Sequence, residues 1–435
     1  MKDTSDVICC VVDFGMCGVP MAERLSRQPS GFKKTYLFQE WEEDYSTLNK
    51  AIMGDGYSEF ERVPDIWSIK DQVDLFVFPD VQRSGLQLEL EKQGKVVWGA
   101  RSGDCFELDR ELFLKTLAEV GLNVPPHKIV VGLNALRAYV KDKKDVYIKV
   151  SLYRGSFETC HFRSWKLDEC LIDLFAVRFG PAKELVRFLV FPNIDTPLEL
   201  GCDTYCVDGQ WPSTMLYGVE YKDRSYLGSV SKQKEMPKQL VEVMKKFGPV
   251  LLPYRYRNQF SFEVRVKGDK SYFIDATCRM GLPSTASQLE LWKNWPDIVW
   301  KGANGQLVEP ISAAKYSAEA ILTAKRDPNE WAIFDISQSL KQWCKFASCF
   351  EYEGSVCFPS EDSNSGDDVG WLVAVADTPE EVIKKINKQA NDLPDGLEAN
   401  TEHLAYVLKE IHLAAKQGAK FGQFPVPSPE VVMKE

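Results

Sequence analysis

The chain has 435 residues, 53 Lys and Arg against 63 Asp and Glu, and a formal net charge of -10. With 44% hydrophobic residues it can bury a core, which excludes a disordered chain. Its acidity and the lack of a long basic block argue against extended nucleic-acid binding, and no apolar run approaches the roughly 20 residues of a membrane span. Together these features lead us to expect a cytoplasmic protein of about three domains that acts without a membrane.

The first hundred residues alternate strand and helix signals. Val7-Ile8-Cys9-Cys10-Val11-Val12 is short, rich in β-branched residues and followed by Gly15, so it is expected to be a buried parallel strand. A helix opens at Met21–Leu25. Strands follow at Thr35–Phe38, Val73–Phe78 and Val96–Gly99, with a helix over Leu86–Gln93. Repeated β-α-β units with short connections predict a doubly wound α/β sheet. Gly15-Met16-Cys17-Gly18 forms a glycine turn between strand and helix but lacks full G-x-G-x-x-G spacing. A phosphate cradle and a plain tight turn both fit it.

Leu108 to Val120 predicts an amphipathic helix, stopped by Gly121 and led out by Val124-Pro125-Pro126. Val146-Tyr147-Ile148-Lys149-Val150 is a strand with a lysine in an apolar setting. Such a lysine needs a partner, such as a nucleotide phosphate, or an edge from which to reach water. A turn follows through Arg154-Gly155-Ser156, whose backbone N–H groups suit either a phosphate or an ordinary hairpin. Further strands run to Phe162, over Leu185–Ile194 and over Thr204–Val207.

The clearest hairpin is Phe260–Val266, a turn at Gly268-Asp269, and Ser271–Asp275. It carries Glu263 and Asp275, which period-two geometry can bring to one face as Mg²⁺ ligands, although solvated surface charges fit the same spacing. Arg279 follows four residues later. Tyr254, Arg255 and Arg257 lie just upstream and are candidates for an anionic substrate or a solvated basic stretch. Beyond them, Ala332–Phe334, Trp371–Val375 and a helix over Glu380–Leu393 predict a small α+β region, with an acidic loop over residues 360–368.

Several chemistries have no motif here. The 12 cysteines form no C-x-x-C pair and the 4 histidines sit away from them, so the thiols are expected to be reduced and no zinc site is indicated. P-loop, nucleophile-elbow, H-E-x-x-H and kinase patterns are all absent.

Taken in order, the remaining features resemble the ATP-grasp superfamily, and most of all its glycinamide ribonucleotide synthetase (phosphoribosylamine–glycine ligase) branch, from about residue 5 to 400. Val96-Val97-Trp98-Gly99-Ala100 is similar to the segment before the grasp. Leu108–Lys115 with Glu119–Pro126 resembles the entry to the lid. Tyr147-Ile148-Lys149 with Arg154-Gly155-Ser156 resembles the lid lysine and glycine-rich loop. Phe262-Glu263-Val264 and Phe273–Arg279 resemble the metal motif, and residues 367–382 resemble the branch's C-terminal domain.

The resemblance implies three parts. These are an N-terminal doubly wound α/β domain over 1–105, an ATP-grasp domain over 106–300 with a mobile lid over about 121–187, and an α+β C-terminal domain over 301–435. It also implies ATP and Mg²⁺ (or Mn²⁺) as cofactors and a small carboxylate and an amine as substrates. In that reading Arg110, Lys149, Gly155, Ser156, Phe188, Leu189, Val190 and Glu199 bind nucleotide, and Glu263, Asp275 and Thr277 bind metal. Arg279 stabilises the acyl phosphate, while Arg255, Arg257 and Ser284 face substrate.

The sequence departs from the branch at Arg110, where a lysine is usual, at Asp275 in place of Glu, and at Thr277 in place of Asn. It also has Met280-Gly281-Leu282-Pro283-Ser284 in place of the branch's GDPE segment. The alternatives are a genuine phosphoribosylamine–glycine ligase and a non-catalytic scaffold that keeps the fold.

Overall fold

The computed structural model describes residues 1–13, 15, 17–39, 52–152, 159–194, 199–221, 224–281, 283–325, 330–347, 349–358 and 368–416. The chain divides into two compact units. One comprises Met1–Gly103, Leu200–Ser261 and the chain from Thr277 onward; the other comprises Asp104–Glu199 and Phe262–Ala276.

In the larger unit, the five strands Glu61–Arg62, Lys34–Gln39, Ile8–Asp13, Leu75–Val77 and Val96–Trp98 lie in that order as a parallel sheet. The apolar run at the start of the chain makes its centre, because a strand buried on both faces must be apolar throughout. Cys10, Val12, Phe76, Phe78 and Val97 share one core on this sheet. Its register pairs Asp13 with Gln39, bringing both to the carboxyl edge.

The same unit holds an antiparallel sheet in which Glu199–Val207, Thr214–Tyr221, Ser225–Lys232, Tyr316–Ala324, Asp368–Ala376 and Cys344–Phe346 are neighbours in turn. Tyr316–Ala324 pairs with Ser225–Lys232 on one side and Asp368–Ala376 on the other. This pairing stitches the C-terminal residues into a sheet begun near residue 200, so no unit boundary falls at 300/301, while one falls at Gly103/Asp104. Gly218 lies opposite Gly228. A Cβ on Gly218 would meet the Leu227 carbonyl oxygen at 2.2 Å, and one on Gly228 would meet the Tyr226 ring at 2.6 Å. Glycine at 228 leaves room for the Tyr226 ring, whose hydroxyl donates to Asp203 Oδ2 at 2.8 Å.

The smaller unit contains a four-stranded antiparallel sheet, ordered Lys128–Val131, Arg187–Pro192, Lys144–Val150 and Thr159–Ser164. The helices Leu133–Val140 and Trp165–Phe179 cover one face. Val146, Ile148, Val150, Phe162, Ile172, Phe175, Phe188 and Val190 fill the core between them. Each fully buried aromatic there stabilises the unit by about 1.5–3 kcal/mol. Asp109 caps the Arg110–Glu119 helix by accepting the Leu112 N–H at 3.0 Å. Phe113 of that helix meets Phe273 of the Lys270–Thr277 strand edge to face, centroids 4.9 Å apart. Among the described residues, no helix is long and apolar enough to cross a membrane.

Candidate active site

Strand parity sorts the candidate residues of the smaller unit. Lys149 is paired with Leu189 on one side and Thr159 on the other, while Val150 pairs with Phe188 and Ile148 with Val190. Directly paired residues share a face of the sheet. Phe188 and Val190 therefore point into the core with Val150 and Ile148, and Leu189 shares the opposite face with Lys149. Tyr147, Phe191 and His161 line that second face too, since Tyr147 pairs with both others and stacks on His161 at 4.6 Å.

On this face Lys149 meets an acid from 126 residues away. Its Nζ donates to Asp275 Oδ2 at 3.2 Å, and Arg110 Nη1 donates to Asp275 Oδ1 at 3.5 Å. Two cations picked from the sequence for phosphate contacts thus converge on the carboxylate of an acid picked for the metal. Both cations are largely buried, whereas Asp275 is a third exposed. The separations exceed the roughly 2.7–2.9 Å of a tight charged hydrogen bond, so the group is close-set without being locked.

A second set of residues, with no signal in the sequence, braces the first. Glu111 accepts from Arg187 through Nε and Nη2, both at 2.7 Å, and from Ser151 Oγ at 2.9 Å. The Arg187 guanidinium foremost, with Ser151, holds the Glu111 carboxyl below its ordinary range. Ser151 in turn donates its N–H to Arg187 O at 2.9 Å and accepts the Arg110 N–H at 3.1 Å. The lysine strand and the arginine helix are tied together two residues from Lys149 and one from Arg110.

The other nucleotide candidates are placed differently. Glu199 takes Arg265 through Nε at 2.7 Å and Nη2 at 2.6 Å, so its carboxylate already holds a guanidinium. Gly155 and Ser156 lie outside the described residues, as does the acidic loop apart from Asp368. Glu263 is half-buried, as expected from the alternation of Phe262, Val264 and Val266 with Glu263 and Arg265. On the return strand Phe273 and Ala276 are buried three residues apart, so strict period two does not hold through Asp275.

In the larger unit Arg279 Nε faces Asp80 Oδ1 at 3.5 Å, and its Nη1 donates to the Met280 carbonyl at 2.9 Å. The Met280 N–H reaches Pro79 O at 2.9 Å, fixing the arginine loop to the end of the parallel sheet. Thr277 is half-buried at the close of its strand. Arg255 is exposed and pairs with Glu91 at 3.3 Å. Arg257 is a clamp: it holds Asp208 through Nε at 2.9 Å and Nη2 at 2.7 Å, and the Ala303 carbonyl through Nη1 at 2.6 Å. Ser284 is buried at φ 112, donating to Asp203 Oδ1 at 2.6 Å.

Beside Ser284 lies a buried acid cluster that the sequence did not reveal. Glu319 is fully buried and accepts the Ser287 N–H at 2.8 Å. Burial pushes its carboxyl up to about 8, against backbone donors that pull it down. Burial likewise raises Asp203, opposed by hydrogen bonds from Ser284, Ser261 and Tyr226. Among the described residues, no group of three or more His, Cys, Asp or Glu side chains is arranged to hold a metal by itself.

No protein-family model matches the sequence, and no curated protein matches it either. Solved structures do. The chain is similar to phosphoribosylamine–glycine ligase from Thermotoga maritima, with a TM-score of 0.63 and 15% identity over 90% of this chain and 99% of that one. It is similar to the biotin carboxylase domain of 2-oxoglutarate carboxylase from Hydrogenobacter thermophilus, in complex with MgADP, ADP and bicarbonate, with a TM-score of 0.61 and 12% identity over 96% of both chains. It is also similar to L-amino acid ligase from Bacillus licheniformis, with a TM-score of 0.55 and 13% identity over 91% of this chain and 98% of that one. The chain has the ATP-grasp fold, an α/β architecture with an N-terminal parallel sheet followed by antiparallel sheets. Identities this low carry the fold and leave the substrate open.

Proposed function

We propose that the protein is an ATP-dependent carboxylate–amine ligase that forms an amide through an acyl phosphate. One observation carries the reading: two cations, Lys149 and Arg110, converge on the carboxylate of Asp275. Cations suit nucleotide phosphates, and a carboxylate among them suits the ion that accompanies those phosphates. Glu263 and Asp275 offer hard oxygen donors. Two carboxylates fit Mg²⁺ or Mn²⁺, which complete their shells with phosphate oxygens and water. When bound, such an ion neutralises charge on the triphosphate.

Lys149 and Arg110 hold the phosphates in line, and Leu189, Tyr147 and Phe191 give the nucleotide an apolar and aromatic wall. A substrate carboxylate oxygen attacks the γ-phosphorus; the new O–P bond forms as the bond to the bridging oxygen breaks, and ADP leaves. The amine nitrogen then attacks the acyl carbon, the C–N bond forms, phosphate departs, and the nitrogen gives a proton to solvent. Positioning and fixed charge supply most of the rate. Closure of the lid keeps water from the intermediate.

The test is phosphate release from Mg-ATP over a matrix of carboxylic acids and amines. Asp275→Asn should lower turnover by about a hundredfold or more, the scale for losing a preorganised charge, with an unchanged circular dichroism spectrum. Unimpaired turnover in that variant would remove Asp275 from the reaction.

A further inference from the structure

Lys149 Nζ and Arg110 Nη1 stand 3.2 and 3.5 Å from the Asp275 carboxylate, too far for those contacts to lock the spacing of the two cations. A phosphate that binds these cations also competes with Asp275 for them. Their spacing survives such an exchange only if other neighbours fix it. Groups that receive a ligand are placed accurately when the residues behind them are themselves held.

Ser151 and Glu111 supply that hold. Ser151 is 2% exposed and uses all three of its polar groups at one junction. Its carbonyl oxygen accepts the Arg110 N–H at 3.1 Å, its N–H donates to Arg187 O at 2.9 Å, and its hydroxyl donates to Glu111 Oε1 at 2.9 Å. The residue follows directly on the Lys144–Val150 strand, two places beyond Lys149. Glu111 sits next to Arg110 in the first turn of the Arg110–Glu119 helix. Its two oxygens take the Arg187 guanidinium in parallel, Nε on Oε1 and Nη2 on Oε2, both at 2.7 Å. Arg187 opens the Arg187–Pro192 strand, which pairs with the lysine strand. One carboxylate therefore joins the helix that begins with Arg110, the end of the lysine strand and the strand beside it.

Stability gives little reason for this arrangement. The Arg187 and Glu111 side chains are 46% and 25% exposed, and ion pairs so open to water add little to a fold. What the pair supplies is geometry. Two parallel charged hydrogen bonds fix a guanidinium in angle as well as distance. At 2.7 Å they are shorter than either contact to Asp275. The two charges also cancel, so the pair brings no net attraction for a phosphate.

We propose that Glu111 is a positioning residue: clamped by Arg187 and Ser151, it sets the spacing of Arg110 and Lys149 so that both reach one polyphosphate. The inference rests on the reading of those two cations as phosphate ligands, and Glu111 itself touches no substrate. A brace that acts through the cations matters more as the ligand carries more phosphates. A role in folding alone would weaken every nucleotide alike.

The test is calorimetric titration of AMP, MgADP and MgATP into the wild type and the double variant Glu111→Gln/Arg187→Gln. The two changes remove one charge of each sign, so the local net charge is kept and only the brace is lost. The MgATP Kd should rise about tenfold, the scale for one weakened charged contact. The rise should shrink through MgADP to about threefold or less for AMP. Ser151→Ala, which keeps the ion pair and removes one donor, should raise the MgATP Kd about threefold, and it decides on the same terms if circular dichroism shows the double variant unfolded. An unshifted or tightened MgATP Kd in a folded variant, or an equal rise for AMP and MgATP, would overturn the inference. Absence of MgATP binding to the wild type would refute the nucleotide reading and the inference with it, whereas wild-type binding that the folded variants share unchanged would refute the inference alone.

Discussion

Replacing Glu319 with glutamine should change how stability depends on pH. The side chain is fully buried, and its carboxyl is pushed from 4.5 up to about 8 by burial. A carboxyl raised in the folded state is protonated there while the unfolded chain has already released its proton. Its effect on stability is therefore nil below the unfolded value and grows increasingly unfavourable as pH rises from about 4.5 to about 8. At 1.36 kcal/mol per unit, the full span amounts to about 5 kcal/mol above pH 8. Glu319→Gln keeps an acceptor for the Ser287 N–H and cannot ionise. The variant should match the wild type near pH 4.5 and exceed it by an amount that grows up to pH 8. For a chain of this size, that is about 5 °C in thermal midpoint. Scanning calorimetry of both proteins from pH 4.5 to 8.5 measures the difference. Parallel midpoint curves, or a gap that widens toward acid, would refute the reasoning.

Two further expectations concern single residues. Arg163 holds the Asp168 carboxyl down to about 2, chiefly through its side-chain hydrogen bond and also through its backbone N–H. Stability from this pair is present above about pH 4 and is lost as pH falls through 2; acid unfolding of Asp168→Asn should lack that component, and identical acid profiles would contradict it. Arg24 is buried and donates to the carbonyls of Leu289 at 2.6 Å, Trp292 at 2.9 Å and Lys293 at 2.9 Å. Arg24→Ala strips partners from these helix-end carbonyls and should cost about 3 kcal/mol or more, read as a lower urea midpoint. A midpoint within error of wild type would show that water replaces the arginine.

The doubly wound sheet was legible because a buried parallel strand must be apolar throughout, as Val7–Val12 is. The hairpin was legible because Phe260, Phe262, Val264 and Val266 keep period two to the core. Tyr316–Ala324 was not, because its buried positions are largely small or polar, with Ser317, Ala318, Glu319 and Ala320 in a row. Only its pairing with Ser225–Lys232, nearly a hundred residues earlier, defines it as a strand and joins the C-terminal residues to the larger unit. Lys149 and Asp275 could be singled out as a lysine in an apolar strand and an acid on a hairpin, but local pattern does not encode a contact across 126 residues. The Glu111–Arg187 pair is 76 residues apart and equally silent. For Phe188, Leu189 and Val190, alternation separates Leu189 from its neighbours; the strand pairing sets it on the face with Lys149, and the cover by two helices makes the other face the core.

The central claim is a nucleotide site built around Lys149. Its most direct test is calorimetric titration of MgADP and of MgATP into the wild type and Lys149→Ala. Saturable binding to the wild type, weakened about tenfold or more in the variant as expected for a lost phosphate contact, is the result that the account requires. No binding to the wild type, or equal affinity in both proteins, would contradict it and leave a scaffold that keeps the fold without its nucleotide.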